Sequence, residues 1–327
     1  MTERRYLELD GLRLSYLEQG TANPDAPSLV LLHGLMGCAD TMLDLMQALP
    51  SELHVIALDF PGAGRSERRR DVVPTLSKTA SVVRRFAEVL NLGAIDLLGH
   101  SHGGAVALHL AATEPGAVRT LTLLAPAHPY FDEGDPLIRF YLTLPGRLFA
   151  YSLPWYPKWM QMIGLRRMAG PASSDTVDRL KPYRENLQTP GTMSHLLRLL
   201  ATWHDDMAAL GQLLRTPLTT PTLLIWGESD RAVPPKSVYE LRARLANSEL
   251  RILPGVGHRP AEEAPKAVAA HIESWLQQPT PLTYSPNSSE TQTLIAAAIT
   301  SSLETGESGV PAKKWSAPAT HTIRFGS

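Results

Sequence analysis

The ten residues Ile95 to Gly104, read Ile-Asp-Leu-Leu-Gly-His-Ser-His-Gly-Gly, restrict this chain more than any others. They begin as an apolar strand and end in small residues that open a helix, Ala105 to Ala112. Between strand and helix sits Gly99-x-Ser101-x-Gly103. A serine at so sharp a turn takes a strained backbone, and the strain pushes its hydroxyl out beyond the sheet edge. Glycines flank it because a Cβ would clash inside the turn. The helix aims its positive end and free N–H groups back at the serine. The stretch reads as a nucleophile with part of an anion site beside it.

The first half of the chain repeats this alternation of strand and helix. Tyr6 to Leu9 and Leu12 to Leu17 flank Asp10-Gly11, a hairpin signal. Leu29 to Leu32, His54 to Leu58 and Val118 to Leu124 are short apolar runs that fit buried strands. Asp40 is placed to cap a helix reaching Leu49, and Ser77 to Leu90 carries apolar residues at helical spacing. The pattern predicts a mainly parallel α/β sheet covered on both faces, with an antiparallel hairpin at one edge. Ligands of such sheets bind beyond the carboxyl ends of the strands. Three loops therefore become candidates: His33 to Gly37, Asp59 to Ser66, and the turn at Ser101.

The alternation stops near Ala127. From there to Leu214 the chain is rich in aromatic and Pro segments, among them Pro154-Trp155-Tyr156-Pro157-Lys158-Trp159-Met160. Helical pieces such as Thr192 to Leu200 follow without a buried-strand run, which reads as an inserted helical lid. Its Trp, Tyr and Met side chains either line an acyl pocket or pack the lid onto the core. The sheet pattern resumes at Thr222 to Trp226 and Leu250 to Leu253, with helices over Lys236 to Ala246 and Ala264 to Leu276. Residues 1–126 and 215–278 are thus expected to form the core, and 127–214 the lid. Beyond Pro279 the chain turns to Ser, Thr, Pro and Gly, and 279–327 is expected to be a largely disordered tail.

Charge and cysteine usage narrow the partners. Lys and Arg total 31 against 32 Asp and Glu, which argues against nucleic acid as a main partner. Cys38 is the single cysteine, so no intrachain disulfide forms, and a reducing, cytoplasmic setting fits. No signal-peptide pattern opens the chain, and no run of about 18 apolar residues suggests a membrane span.

A serine hydroxyl attacks only when a base takes its proton. His258, in the Gly-rich loop after the last strand, is the best placed of the 11 histidines. The base in turn needs a carboxylate to hold its tautomer, and Asp230 follows a strand on the same rim, with Glu228 in reserve. The chain order Ser101, Asp230, His258 is then set. A tetrahedral intermediate needs two N–H donors. The backbones of His102 and Leu35 are expected to supply them, with His33, Gly34, Gly99 and Gly103 shaping the loops. A zinc set of His33, His100 and His102 lacks an accompanying carboxylate or cysteine pattern, so no metal site is assigned. Arg68-Arg69-Arg70 reads as a solvated loop.

Taken together, Leu32-His33-Gly34-Leu35-Met36-Gly37, Asp59 to Ser66, Gly99 to Gly104, Gly227 to Asp230 and Gly257-His258 resemble the α/β-hydrolase fold-1 family over roughly residues 5–277. The resemblance implies an eight-stranded sheet, a lid after the sixth strand, Ser-Asp-His hydrolysis through an acyl-enzyme, and no cofactor. Ser101 stands where epoxide hydrolases and haloalkane dehalogenases carry Asp, and the oxyanion loop is not of the His-Gly-Gly-Gly form. Three readings follow. The first is hydrolysis of carboxylic esters with small to medium acyl groups. The second is carbon–carbon hydrolysis of a dienoate, which asks for a cation such as Arg139, Arg147 or Arg198 facing Ser101. The third is a ligand sensor that keeps the fold with little turnover.

Overall fold

The computed structural model describes residues 1–23, 26–131, 140–141, 143–171, 173 and 177–277. The elements named below all belong to one compact unit, Met1–Tyr284. The expected tail, 279–327, lies outside the described residues.

Strands β1 (Glu3–Leu9) and β2 (Leu12–Gln19) pair antiparallel, with Leu9 opposite Leu12. Asp10 and Gly11 both take positive φ, 51° and 72°, as a two-residue hairpin turn of the mirror-image type requires. Six strands follow: β3 (Leu29–Leu32), β4 (Val55–Leu58), β5 (Ile95–His100), β6 (Val118–Leu124), β7 (Thr222–Gly227) and β8 (Ser248–Leu253). They form one eight-stranded sheet in the order β1-β2-β4-β3-β5-β6-β7-β8. β2 meets β4 antiparallel, and from β4 to β8 every pairing is parallel. The α/β sheet expected from the apolar runs is therefore present, hairpin edge included.

Alternation along the strands splits the core in two. Val30, Leu32, Ile56, Leu58, Leu97 and Leu121 face α2 (Leu76–Val89) and α3 (His102–Thr113). Leu29, Leu31, Val55, Ala57, Leu98 and Leu223 face α1 (Leu43–Ala48) and a C-terminal helix, Pro265–Leu276. Successive side chains on a strand point to opposite faces, so a sheet covered twice needs strands that are apolar throughout. Asp96 and His100 are the polar exceptions in β5, and Arg119 and Thr120 on β6 bind the Asp96 carboxylate.

Among the described residues between β6 and β7 lie α4 (Leu144–Ser152), α5 (Lys158–Met168), α6 (Leu180–Gln188) and α7 (Thr192–Leu213). α7 runs well past the expected Leu200. Its second half buries Trp203, Met207 and Leu210 in the main core, which stabilises the added turns. Its first half joins Met193, Leu196, Leu197 and Leu200 to Ala150 of α4. After β7 come α8 (Val238–Arg242), α9 (Pro260–Glu263) and α10, the Pro265–Leu276 helix. Among the described residues, no helix is long and apolar enough to cross a membrane.

Two local expectations fail. Asp40 caps nothing. It lies inside a 3-10 turn, Ala39–Met42, and its carboxylate takes a 2.6 Å bond from Arg4. The helix expected over 236–246 shrinks to α8, because the chain turns back for the Ala246 N–H to reach the Leu218 carbonyl at 2.8 Å.

Trp226 in β7 is fully buried, and its Nε1–H donates to the Val233 carbonyl at 2.9 Å. That bond tethers the loop after β7 to the strand. Trp226→Ala is expected to lower stability by about 3–5 kcal/mol, through lost contact area and an orphaned carbonyl. Urea unfolding checks it: the midpoint should fall while the slope stays constant.

Candidate active site

The turn between β5 and α3 places Ser101 at φ 51° and ψ −118°. The Ser101 N–H donates to the Leu124 carbonyl at 3.0 Å, and its carbonyl accepts from the Ala127 N–H at 2.8 Å. Close packing demands the flanking glycines. A Cβ on Gly99 would stand 2.4 Å from the Gly103 carbonyl oxygen, and one on Gly103 would stand 2.4 Å from that of Leu32. Both distances are shorter than any carbon–oxygen contact, so strand and helix could not approach.

Three side chains from three strand ends meet here. His258 Nε2 lies 3.0 Å from Ser101 Oγ. His258 Nδ1 lies 2.8 Å from Asp230 Oδ2. Asp230 Oδ1 accepts from the N–H groups of Ala232 at 2.8 Å and Val233 at 3.0 Å. With Oδ1 filled by two donors, Oδ2 is left to accept the Nδ1 proton, which presents the Nε2 lone pair to the serine. Asp230 and His258 are buried, while Ser101 is half-buried. Glu228 is exposed and accepts the Gly255 N–H at 3.1 Å, away from this chain of bonds.

Leu35 and His102 border the same place. His102 is the first residue of α3, so its N–H belongs to the helix-opening set that has no intrahelical acceptor. Gly34 packs so tightly that a Cβ would lie 2.9 Å from His100 Nδ1 and 3.1 Å from Ser101 Cβ. That contact brings the loop carrying Leu35 against the serine. His33 organises the loop: Nδ1 donates to the Gly34 carbonyl at 2.9 Å, and Nε2 accepts the Phe60 N–H at 3.2 Å. His100 Nε2 donates to the His258 carbonyl at 2.7 Å. A narrow cavity of about 50 Å³ adjoins the site, lined by Leu35, Phe60, His102, His195, Leu196 and their neighbours. Ser101 and His258 are not among its lining residues.

Several contacts carry no sequence signal. Asn186 of α6 is buried, and its amide donates at 2.9 Å to the carbonyls of both Met36 and Gly37. Its Oδ1 accepts from the Gly64 N–H at 2.8 Å and from Arg68 at 3.3 Å. Arg68 was expected to be solvated. Instead it is half-buried and donates to the Ser66 and Gly64 carbonyls and to Thr192 Oγ1. On the other side, the His258 N–H donates to the Met168 carbonyl at 2.8 Å. Glu263 accepts from the N–H groups of Gly170 at 2.8 Å and Gly257 at 2.9 Å. Tyr183 of α6 donates to buried Glu262, which also pairs with buried Arg259 at 3.0 Å. Apart from the Arg259–Glu262 pair at i,i+3, no spacing rule marks these contacts, because each spans more than sixty positions or ends on a main-chain atom.

Fold and site together define an α/β-fold hydrolase arrangement, with candidate groups at the carboxyl ends of β3, β5, β7 and β8. The family model of the alpha/beta hydrolase fold matches residues 27–265, and the chain belongs to that family. It is 29% identical to the uncharacterized hydrolase YugF of Bacillus subtilis, over 84% of this chain and 97% of that one. It is 25% identical to the monoacylglycerol lipase ABHD6 of Mus musculus, over 83% and 82%. Among solved structures, Cfl2 of Burkholderia cenocepacia shares the fold with a TM-score of 0.73 at 24% identity, covering 84% of this chain and 96% of that one.

The site is ringed by neutral imidazoles. Burial, and then the nearby His258, push His100 down to about 3. Burial, with His33 beside it, does the same to His102, and burial alone to His128, whose Nε2 lies 3.0 Å from Ser237 Oγ. In the unfolded chain each would titrate near 6.5. Below that pH the unfolded state binds protons that the folded state refuses. Stability is therefore complete above about pH 6.5 and falls by about 1.4 kcal/mol per pH unit for each such histidine as pH drops toward 3. Urea midpoints at pH 7, 6 and 5 should trace this loss, and His128→Gln should make it shallower. Asn186→Leu, which strands two carbonyls and an N–H, should cost about 2–4 kcal/mol in the same measurement at pH 7.

Proposed function

We propose that the chain is a serine hydrolase that cleaves carboxylic esters of small to medium acyl groups through an acyl-enzyme. The continuous path Asp230–His258–Ser101, with links of 2.8 and 3.0 Å, is the observation that carries this reading. His258 takes the Ser101 proton as Oγ attacks the carbonyl carbon. The backbone N–H groups of Leu35 and His102 receive the developing oxyanion. The imidazolium, held by Asp230, then protonates the leaving alcohol, and neutral His258 next activates water to release the acid. No step calls for a cofactor or metal. Residues 127–214 serve as a lid over this rim, and the apolar cavity beside Leu35 and Leu196 takes the acyl end. The name of the mouse relative, a monoacylglycerol lipase, favours an acyl ester as substrate.

The carbon–carbon reading finds less support. Arg147 is exposed on α4, and Arg198 donates to the carbonyls of Arg69 and Arg70. Arg139 lies outside the described residues.

A fluorophosphonate probe and p-nitrophenyl acyl esters test the ester reading. Wild type should be labelled and turn over short esters. Ser101→Ala should lose the label and at least about a thousandfold in kcat, and Asp230→Asn should lose a similar factor with the fold intact. Equal turnover by wild type and Ser101→Ala would sink the mechanism. A wild type inert toward the whole ester panel would leave the ligand-sensor reading in its place.

A further inference from the structure

Helices that cover a core normally hide one apolar face and show a polar one. α4 and α5 do not. On α4, Gly146 and Ala150 are buried, while Leu144, Leu148 and Tyr151 form an exposed stripe at helical spacing. On α5, Met162 and Leu165 are buried, while Trp159 and Ile163 are exposed one turn apart. Trp155 ends the 3-10 turn Leu153–Trp155, just before α5 begins. Leu144, Leu148, Trp155, Trp159 and Ile163 are each between 60% and 72% exposed. The stretch is continuous and braced: Gln161 donates to the carbonyls of Leu153, Pro154 and Tyr156, and the Phe149 and Tyr156 rings lie 5.7 Å apart. Such a concentration of large apolar side chains in water marks a contact surface.

Charge says what kind. From Thr143 to Pro171 the sequence has Arg147, Lys158, Arg166 and Arg167 and no Asp or Glu, in a chain whose formal net charge is −1. All four cations are exposed. Tryptophans that pair an apolar ring with one polar N–H suit the boundary between lipid headgroups and acyl chains. Exposed Lys and Arg beside them suit anionic headgroups.

We propose that the exposed apolar and cationic face of residues 144–167 docks on the surface of an anionic lipid bilayer. α5 ends at Met168, whose carbonyl holds the His258 N–H, and Gly170 packs where a Cβ would lie 2.2 Å from the Gly255 carbonyl oxygen. The docked face is thus one helix away from the candidate active site. If the hydrolase reading above holds, a water-insoluble acyl ester passes from the bilayer to Ser101 across this segment. The docking itself does not depend on that reading.

The test mixes full-length protein with vesicles of phosphatidylcholine alone, or with about one third phosphatidylglycerol. Sedimentation and tryptophan emission are read. Wild type should bind the anionic vesicles at least about tenfold more tightly than the neutral ones, with a blue-shifted emission, and high salt should weaken the binding. Trp155→Ser with Trp159→Ser should weaken binding at least about tenfold, while turnover of a soluble short ester stays unchanged. Arg166→Glu with Arg167→Glu should remove the preference for anionic vesicles. Ser101→Ala should bind as wild type does, so a failed mechanism leaves docking readable, and a failed docking leaves ester turnover readable. Wild type that stays in solution with every vesicle overturns the proposal. So does binding that survives both double substitutions. An apparent mass that rises with concentration, and falls on Trp155→Ser with Trp159→Ser, would give the face to a second copy of the chain instead.

Discussion

Ser101, at φ 51° and ψ −118°, holds a conformation that costs a side-chain-bearing residue on the order of 1–3 kcal/mol. The surroundings leave it no alternative. β5 lies between β3 and β6, paired on both edges, so the strand cannot slide. α3 must start at once, because its first turn is pressed against the end of β3 through Gly103. A serine caught between a fixed strand and a fixed helix has its hydroxyl aimed by the backbone rather than by a rotamer search. The partners then need only reach it. Asp230 does so from a loop that Trp226 tethers, and His258 from a loop whose carbonyl is held by His100.

The segment between β6 and β7 is fastened on both flanks of that serine, and the type of bond matters. Arg179 pairs with Asp44 across the same boundary, but the two side chains are 26% and 44% exposed, and such solvent-screened pairs contribute about 0–1 kcal/mol. Asn186 is different. It is buried, it uses both donors and its acceptor oxygen, and its partners are main-chain atoms of two loops at the candidate site together with Arg68. Breaking it strands several groups at once, and a stranded buried group costs about 1–3 kcal/mol. Met36, at φ 65°, is among the residues so held. The loop that presents Leu35 therefore keeps its shape partly through a side chain from α6. Movement of α6 away from the sheet would release the Met36 and Gly37 carbonyls and so disturb the loop next to Leu35.

What was legible in the sequence was whatever rests on local periodicity or on short range. Leu29 to Leu32 and Val55 to Leu58 announce buried strands because a parallel sheet hides both faces. Gly99, Ser101 and Gly103 announce a tight turn because only that turn needs glycines at that spacing. Asp230 and His258 were placed by the same logic, as polar residues just past apolar strands. Asn186, Glu262, Glu263 and the Met168 carbonyl were invisible, since an amide in an amphipathic helix shows no sign of what it bonds far away in the chain. Arg68 departs from expectation for the same reason: a run of three arginines looks solvated until α7 supplies Thr192. The helix reaching Leu49 is present as α1, but the cap expected of Asp40 is absent, because Arg4 of edge strand β1 takes the carboxylate.

Neutrality of the neighbouring histidines has a consequence for the proposed chemistry. As Ser101 gives up its proton, His258 becomes a cation, and the His100 ring centroid lies 5.1 Å from its own. Two unit charges at that separation repel by about 3 kcal/mol at an effective dielectric constant near 20. A charged His100 would oppose proton transfer by roughly the amount that a good hydrogen-bonded carboxylate supplies. Burial keeps His100 neutral down to about pH 3, and its Nε2–H is committed to the His258 carbonyl. It thus acts as a neutral strut: it fixes the backbone of the base without competing for the charge that Asp230 is placed to balance. The same low-dielectric packing that makes the turn at Ser101 rigid also keeps His100 uncharged, so rigidity and electrostatics at this site have one physical origin.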